Sequence, residues 1–127
     1  MQATEVIHRW ISAFNRGEVG TLCALYDPRA VLWATTAPDP KESPEAIARY
    51  FDEVLGMRPP PQMRLVASRQ RTLGDAVVLS GIYELTLFPG TDPQDLPARF
   101  TLVLHREAAD RWVIVEHHSS LVPRPLS

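Results

Sequence analysis

A single cysteine, Cys23, occurs in the 127 residues, so neither an internal disulfide nor a cysteine-built zinc site can form. It falls within a helical apolar pattern and reads as a small packing residue. Runs of basic residues are missing as well. The 13 Lys and Arg are scattered along the chain and the formal net charge is −2, which argues against the footprint of a nucleic-acid binder. All but one of these 13 is arginine, a side chain suited to bidentate carboxylate or phosphate contacts, although a GC-rich genome gives the same bias. No apolar run approaches the roughly 20 residues of a membrane helix. The opening Met-Gln-Ala-Thr-Glu has neither the basic nor the apolar region of a secretory leader, so the expectation is a cytoplasmic protein without membrane contact. The Cys and carboxylate spacings supply no metal site, and no cofactor is expected. This length predicts one domain, enough for one core and too short for two.

What is present is a regular alternation of patterns. After Thr4, a plausible N-cap, Val6, Ile7, Trp10, Ile11 and Phe14 recur at helical spacing, and Gly17 ends the helix. A shorter helix is expected from Glu18 to Tyr26, with Val19, Leu22, Cys23 and Tyr26 inward and Asp27-Pro28 as its stop. Ala30 to Ala34 reads as a strand, and Thr36 to Glu42 as a loop. Ser43-Pro44-Glu45 combines an N-cap, a first-turn proline and an acid at the positive end of the helix dipole. The stripe Ile47, Tyr50, Phe51, Val54 and Leu55 follows, closed by Gly56.

Four strands are expected beyond Arg58-Pro59-Pro60-Pro61. The first spans Met63 to Thr72 and turns at Leu73-Gly74-Asp75. The second, Ala76 to Phe88, puts Leu79, Gly81, Tyr83, Leu85 and Leu87 on one face. Pro89 to Pro97 reads as a surface loop. Arg99 to Ser120 then forms a hairpin whose tip, if Ala108-Ala109, pairs Arg99 with His118, Thr101 with Glu116 and Leu102 with Val115. That register gives one face of Phe100, Leu102, Leu104, Val113, Val115 and His117. The opposite face carries Arg99, Thr101, Val103, His105, Trp112, Ile114, Glu116 and His118. A one-residue slip in the tip exchanges these partners. The whole order implies an α+β domain, a curved antiparallel sheet with three helices from the N-terminal half packed on one side.

Trp-x-Ile-x-x-His-His-Ser-Ser at Trp112 to Ser120 adds a more specific signal, with Ala98-Arg99-Phe100-Thr101, Ala24-Leu25-Tyr26-Asp27-Pro28 and Gly81-Ile82-Tyr83. Together they resemble the cone-shaped nuclear-transport-factor-2-like (NTF2-like) superfamily with its cystatin-like roll. Within it they are similar to bacterial relatives of the calcium/calmodulin-dependent protein kinase II association domain, also grouped as SnoaL-like or SgcJ/EcaC proteins. The resemblance runs from about Glu5 to Pro123. It implies a fold that hosts isomerases, cyclases, dehydratases, transport factors and assembly domains alike, so activity must be argued from the site. No Gly-rich loop, His-Arg-Asp or Asp-Phe-Gly is present, and the chain is not a kinase. Ala34 stands where ketosteroid-isomerase-like members carry a general-base carboxylate. Tyr83, Leu102 and Ser119 stand near the positions of the kinase hub's arginines, so that hub's anion-binding set is not carried over.

On that fold, Tyr83, Phe100, His117 and Ser119 face Phe14, Tyr26, Tyr50 and Trp33 across a tapering cavity, suited to an apolar small molecule. The same aromatics also serve simply as core. His117 is the titratable group on the apolar side of the hairpin, a candidate acid or base with Tyr83 as donor, or else a hydrogen-bonded core histidine. His117 and His118 point to opposite faces and cannot jointly chelate an ion. The outer residues Arg99, Thr101, Trp112, Ile114, Glu116 and His118 suggest a sheet-to-sheet homodimer contact. The rival placement puts Arg99 and His118 in the pocket. The leading expectation is a homodimeric small-molecule-binding or assembly domain without an identifiable catalytic set. The alternative is an isomerase, cyclase or dehydratase acting on a polyketide-like or aromatic intermediate.

Overall fold

Ser43 begins the best-specified helix: its extended backbone places the hydroxyl to accept the Ala46 N–H at 3.1 Å, and Pro44 opens the first turn. This helix is α3 (Pro44–Leu55) of the computed structural model, which describes residues 2–126. Before it come α1 (Glu5–Arg16), α2 (Val19–Cys23) and strand β1 (Tyr26–Trp33). After it come β2 (Gln62–Leu73), β3 (Ala76–Leu87), β4 (Gln94–Ala108) and β5 (Arg111–Leu121). α1 buries Val6, Ile7, Trp10, Ala13 and Phe14, and Gly17 closes it in the left-handed conformation that glycine adopts without strain. Thr4 does not cap with its side chain; its backbone is already helical, so the hydroxyl is not aimed at the first-turn N–H groups.

The five strands form one curved sheet in the order β1-β5-β4-β3-β2, and the α+β architecture stands as the sequence implies. Four strands are antiparallel, whereas β1 joins β5 in parallel, with Leu32 beside His117 and Trp33 beside His118. The helices cover the inner face, on which Leu79, Tyr83, Phe100, Leu102 and Leu104 are buried.

Two element boundaries differ from expectation for the same reason, which is that sheet pairing outranks local turn chemistry. The second helix ends at Cys23, and Tyr26-Asp27-Pro28 begins β1. Proline fits there because β1 is an edge strand with no ladder bond to lose on its free side. Similarly, β4 starts at Gln94 inside the expected Pro89 to Pro97 loop, since Leu96 pairs with Leu85 and Pro97 with Glu84.

The hairpin register also differs. Ala108 pairs with Arg111, so the tip is one residue later than expected; Arg99 lies opposite Ser120, Thr101 opposite His118, and Leu102 opposite His117. This two-residue offset preserves the faces, and Phe100, Leu102, His117 and Ser119 remain inward. Nearer the tip the register breaks between Val103 and Leu104, and Leu104 lies opposite Ile114. One extra residue in a strand reverses which face its neighbours use. Ile114 (0% exposed) and Trp112 (8%) are therefore core residues, which corrects their expected place on the outer face.

Candidate functional site

β5 delivers His117 to the centre of the inner face, where its side chain is 1% exposed. Its ring is bonded on both nitrogens: Nδ1 lies 2.8 Å from the Tyr26 hydroxyl and Nε2 3.1 Å from the Tyr83 hydroxyl. Trp10 of α1 donates its indole N–H to the same Tyr26 oxygen at 2.9 Å. The indole has no alternative role, because it is a donor only. The Tyr26 hydroxyl hydrogen is thus free to point at Nδ1, and a buried hydroxyl requires such an acceptor. The proton on His117 then resides on Nε2 and is donated to Tyr83. One tautomer satisfies the whole chain from Trp10 through Tyr26 and His117 to Tyr83.

Burial favours the neutral form of each member. Desolvation, with a smaller contribution from His118, pushes His117 down to about 3. Burial likewise raises the Tyr26 and Tyr83 phenols well above their usual range. At Tyr83 the Ser119 and Thr35 hydroxyls offset part of that rise, and these two hydroxyls are hydrogen-bonded to each other. Stacking holds the rings in place: Trp10 lies 5.2 Å from Phe14 and 5.6 Å from Tyr83, and Tyr83 lies 4.7 Å from Phe100.

Little space remains beside this chain. The cavity bounded by Trp10, Phe14, Thr35, Tyr50, Tyr83 and His117 has a volume of about 20 Å³, room for one water. The structure gathers Phe14, Tyr50, Tyr83, His117 and Ser119 around it, with the Tyr50 hydroxyl held by Thr36 at 2.7 Å. Phe100 lies behind Tyr83 instead of on the wall. Trp33 is not inside: it is 42% exposed, because Leu32 and Ala34 take the inward positions of β1, and its ring sits 6.3 Å from His118 on the outer side. Trp10 and Thr35 also belong to this site, although nothing local in the sequence marks them as members. In the sequence Trp10 is one apolar residue of its helical stripe, distinguished only by its indole N–H.

The outer face has the opposite character. A groove of about 610 Å³ is lined by Arg69, Ser80, Arg99, Thr101, His118 and Ser120 together with Ile82 and neighbouring backbone. Arg69, Ser80, Thr101 and His118 are successive partners across β2, β3, β4 and β5. Glu116 is half-buried in the next row, opposite Val103 and beside Val31. Of the residues expected on this face, Arg99, Thr101, Glu116 and His118 are there; Arg99 and His118 are not in the inner cavity. Gly81 shapes the groove floor: a Cβ on it would lie 2.0 Å from the Ala67 carbonyl oxygen, where β2 bulges between Leu65 and Ala67. Among the described residues, no group of three or more His, Cys, Asp and Glu side chains is placed to hold a metal, and no helix is long and apolar enough to cross a membrane.

With this geometry in view, the model of the calcium/calmodulin dependent protein kinase II association domain family matches residues 2–123. A Xanthomonas campestris protein named for that association domain is 29% identical, with a TM-score of 0.84 over 96% of this chain and 86% of the other. A Streptomyces avermitilis protein of the NTF2-like family, named for a suggested dehydratase activity, is 16% identical at a TM-score of 0.84, covering 97% and 96% of the two chains. An NTF2-like protein with a cystatin-like fold from Novosphingobium aromaticivorans is 16% identical at a TM-score of 0.80, covering 96% and 80%. No curated protein matches the chain.

Proposed function

The chain belongs to the calcium/calmodulin dependent protein kinase II association domain family, and from that premise we propose that it is an assembly domain, a cytoplasmic homodimer joined through the outer face of its sheet. The observation that carries this reading is the contrast between the two faces. The inner site is occupied by its own side chains and retains about 20 Å³, whereas the outer face holds a concavity of about 610 Å³. An interior whose hydrogen bonds are already satisfied contributes to a unique packed core without needing a ligand.

The area available is in keeping with the proposal. β2 to β5 each contain 11 or more residues. At ~4.8 Å between strands and ~3.4 Å per residue they present a face of roughly 700 Å², close to the ~800 Å² per partner of a standard interface. Val31, Val103 and Val78 supply apolar area in one row with Glu116 and Arg71, and Ile82 lies opposite Arg99, so apolar and charged side chains are interleaved across the face.

An acid-base enzyme is the weaker reading. Ala34 supplies no base, and His117 Nδ1 is taken up by the Tyr26 hydrogen. One feature does favour a ligand pocket: Tyr83, accepting from His117, has its own hydrogen to give toward Ser119 and the cavity. An apolar molecule with a hydrogen-bond acceptor, such as an aromatic or polyketide-like carbonyl compound, fits that polarity once Tyr50 and the Thr35-Thr36 segment move aside. Light scattering coupled to size exclusion tests the assembly reading. A dimer is expected, and Val103→Glu, which places a charge on the outer face, shifts it to monomer. A monomer for the unaltered chain at all concentrations removes assembly and leaves the pocket.

A further inference from the structure

We infer that the outer groove is an oxyanion site and that its occupancy governs self-association; the inference rests on the outer-face dimer proposed above. The chain carries a net charge of −2, yet the groove is lined by Arg69, Arg99 and His118 with no carboxylate among them. Arg9, Arg29, Arg64 and Arg111 are each paired with an acid; among the described residues Arg69 and Arg99, like Arg16, Arg49 and Arg71, make neither an ion pair nor a side-chain hydrogen bond, and they are the two arginines that line one groove. Guanidinium groups stay charged and present a fork of donors that matches an oxyanion.

Their placement is convergent. Arg69 and Thr101 flank Ser80 across three strands, and Arg99 lies two residues from Thr101 along β4. Strand spacing puts the Arg69 and Arg99 backbones roughly 12 Å apart, which two long side chains span from opposite sides. The hydroxyls of Ser80, Thr101 and Ser120 provide neutral donors between them.

Two-fold association brings the same patch of each copy together. With the two-fold axis through the groove, groove faces groove and cation faces cation, in an interface that excludes water and weakens screening. Glu84 is already held by Arg64 at 3.2 Å and does not neutralise the groove. A bound oxyanion removes this repulsion and bridges the two copies. The rival counter-charge is Glu116 of a second copy.

Sedimentation equilibrium at constant ionic strength separates these cases, with inorganic phosphate and malonate each compared against chloride. Phosphate or malonate is expected to tighten the dimer about tenfold (~1.4 kcal/mol); a response to phosphate alone assigns the site to tetrahedral anions, and a response to both assigns it to oxyanions generally. Arg69→Gln and Arg99→Gln abolish the response, and Glu116→Gln retains it. A dimer indifferent to both anions overturns the inference while leaving the assembly reading intact. A dimer weakened by Glu116→Gln and insensitive to anions identifies the second copy as the counter-charge, and overturns it as well. If the chain is monomeric in every buffer, assembly fails by itself, and the phosphorus-31 linewidth of phosphate decides the groove: equal broadening by the unaltered chain and the Arg69→Gln/Arg99→Gln double variant overturns the site.

Discussion

Tyr26 and His117 are joined by a 2.8 Å hydrogen bond although 91 positions separate them. The bond links the start of β1 to the middle of β5, and its partners on either side, Trp10 and Tyr83, extend it from α1 to β3. A polar line through the core thus ties the helices to the sheet.

This buried histidine makes stability depend on pH. Its folded pKa is about 3 against 6.5 for the free side chain, so below pH 6.5 the unfolded chain takes up a proton that the folded chain refuses. The contribution is fully present above 6.5 and is lost as pH falls toward 3, at a limiting slope of about 1.4 kcal/mol per pH unit. Urea titrations between pH 7 and pH 5 check this: the unaltered chain loses stability on acidification, and His117→Phe shows a smaller slope. Equal slopes exclude His117 as the source.

Leu102 is fully buried opposite His117. Leu102→Ala is expected to cost about 2–5 kcal/mol, the range for a large-to-small change in a packed core. Its neighbour Thr101 faces outward, and Thr101→Ala is expected to stay within about 0.5 kcal/mol. Chemical denaturation of the pair measures the inner and outer faces directly.

Ile114 separates the observed register from the expected one. As a fully buried residue opposite Leu104, it cannot accept a charge, and Ile114→Glu is expected to unfold the domain rather than dissociate an oligomer. Far-ultraviolet circular dichroism gives the answer: a folded monomer for this variant would restore Ile114 to the outer face.

How far the sequence reaches is clear from these positions. Helix α3 is readable because Ser43, Pro44 and the Ile47-Phe51-Leu55 stripe all act locally. The faces of β3 are readable because one side chain in two is buried. The Val103/Leu104 irregularity is not, since a bulge depends on which residues of the partner strand are opposite, and alternation alone looks the same on either side of it. The outward position of Trp33 is not readable for a related reason: the parity of β1 is set by its parallel pairing to β5, a contact between residues 80 and more positions apart. His117 could be placed inward from its strand, whereas its two phenol partners come from β1 and β3 and are joined only by the fold.

The direction of the buried chain yields the sharpest prediction. Trp10 gives Tyr26 a donor, so the Tyr26 oxygen accepts while its hydrogen serves His117 Nδ1. Nitrogen-15 NMR is therefore expected to show neutral His117 with its proton on Nε2. The reverse tautomer would make the Tyr26 oxygen accept twice and strand its hydrogen among Phe51, Trp10 and the His117 ring itself. Trp10→Phe keeps an aromatic ring but withdraws the donor, so either tautomer then leaves one buried group unpaired. The two forms approach each other in energy, and the Nδ1-protonated form becomes populated. Loss of the bond is expected to cost about 0.5–1.5 kcal/mol, with any excess reporting the stacking on Phe14 and Tyr83. A merely structural Trp10 would lower stability and leave the tautomer unchanged. An unchanged tautomer leaves Tyr83 accepting from Nε2 with its own hydrogen free for the cavity, whereas a shift to the Nδ1-protonated form turns that hydrogen back toward Nε2.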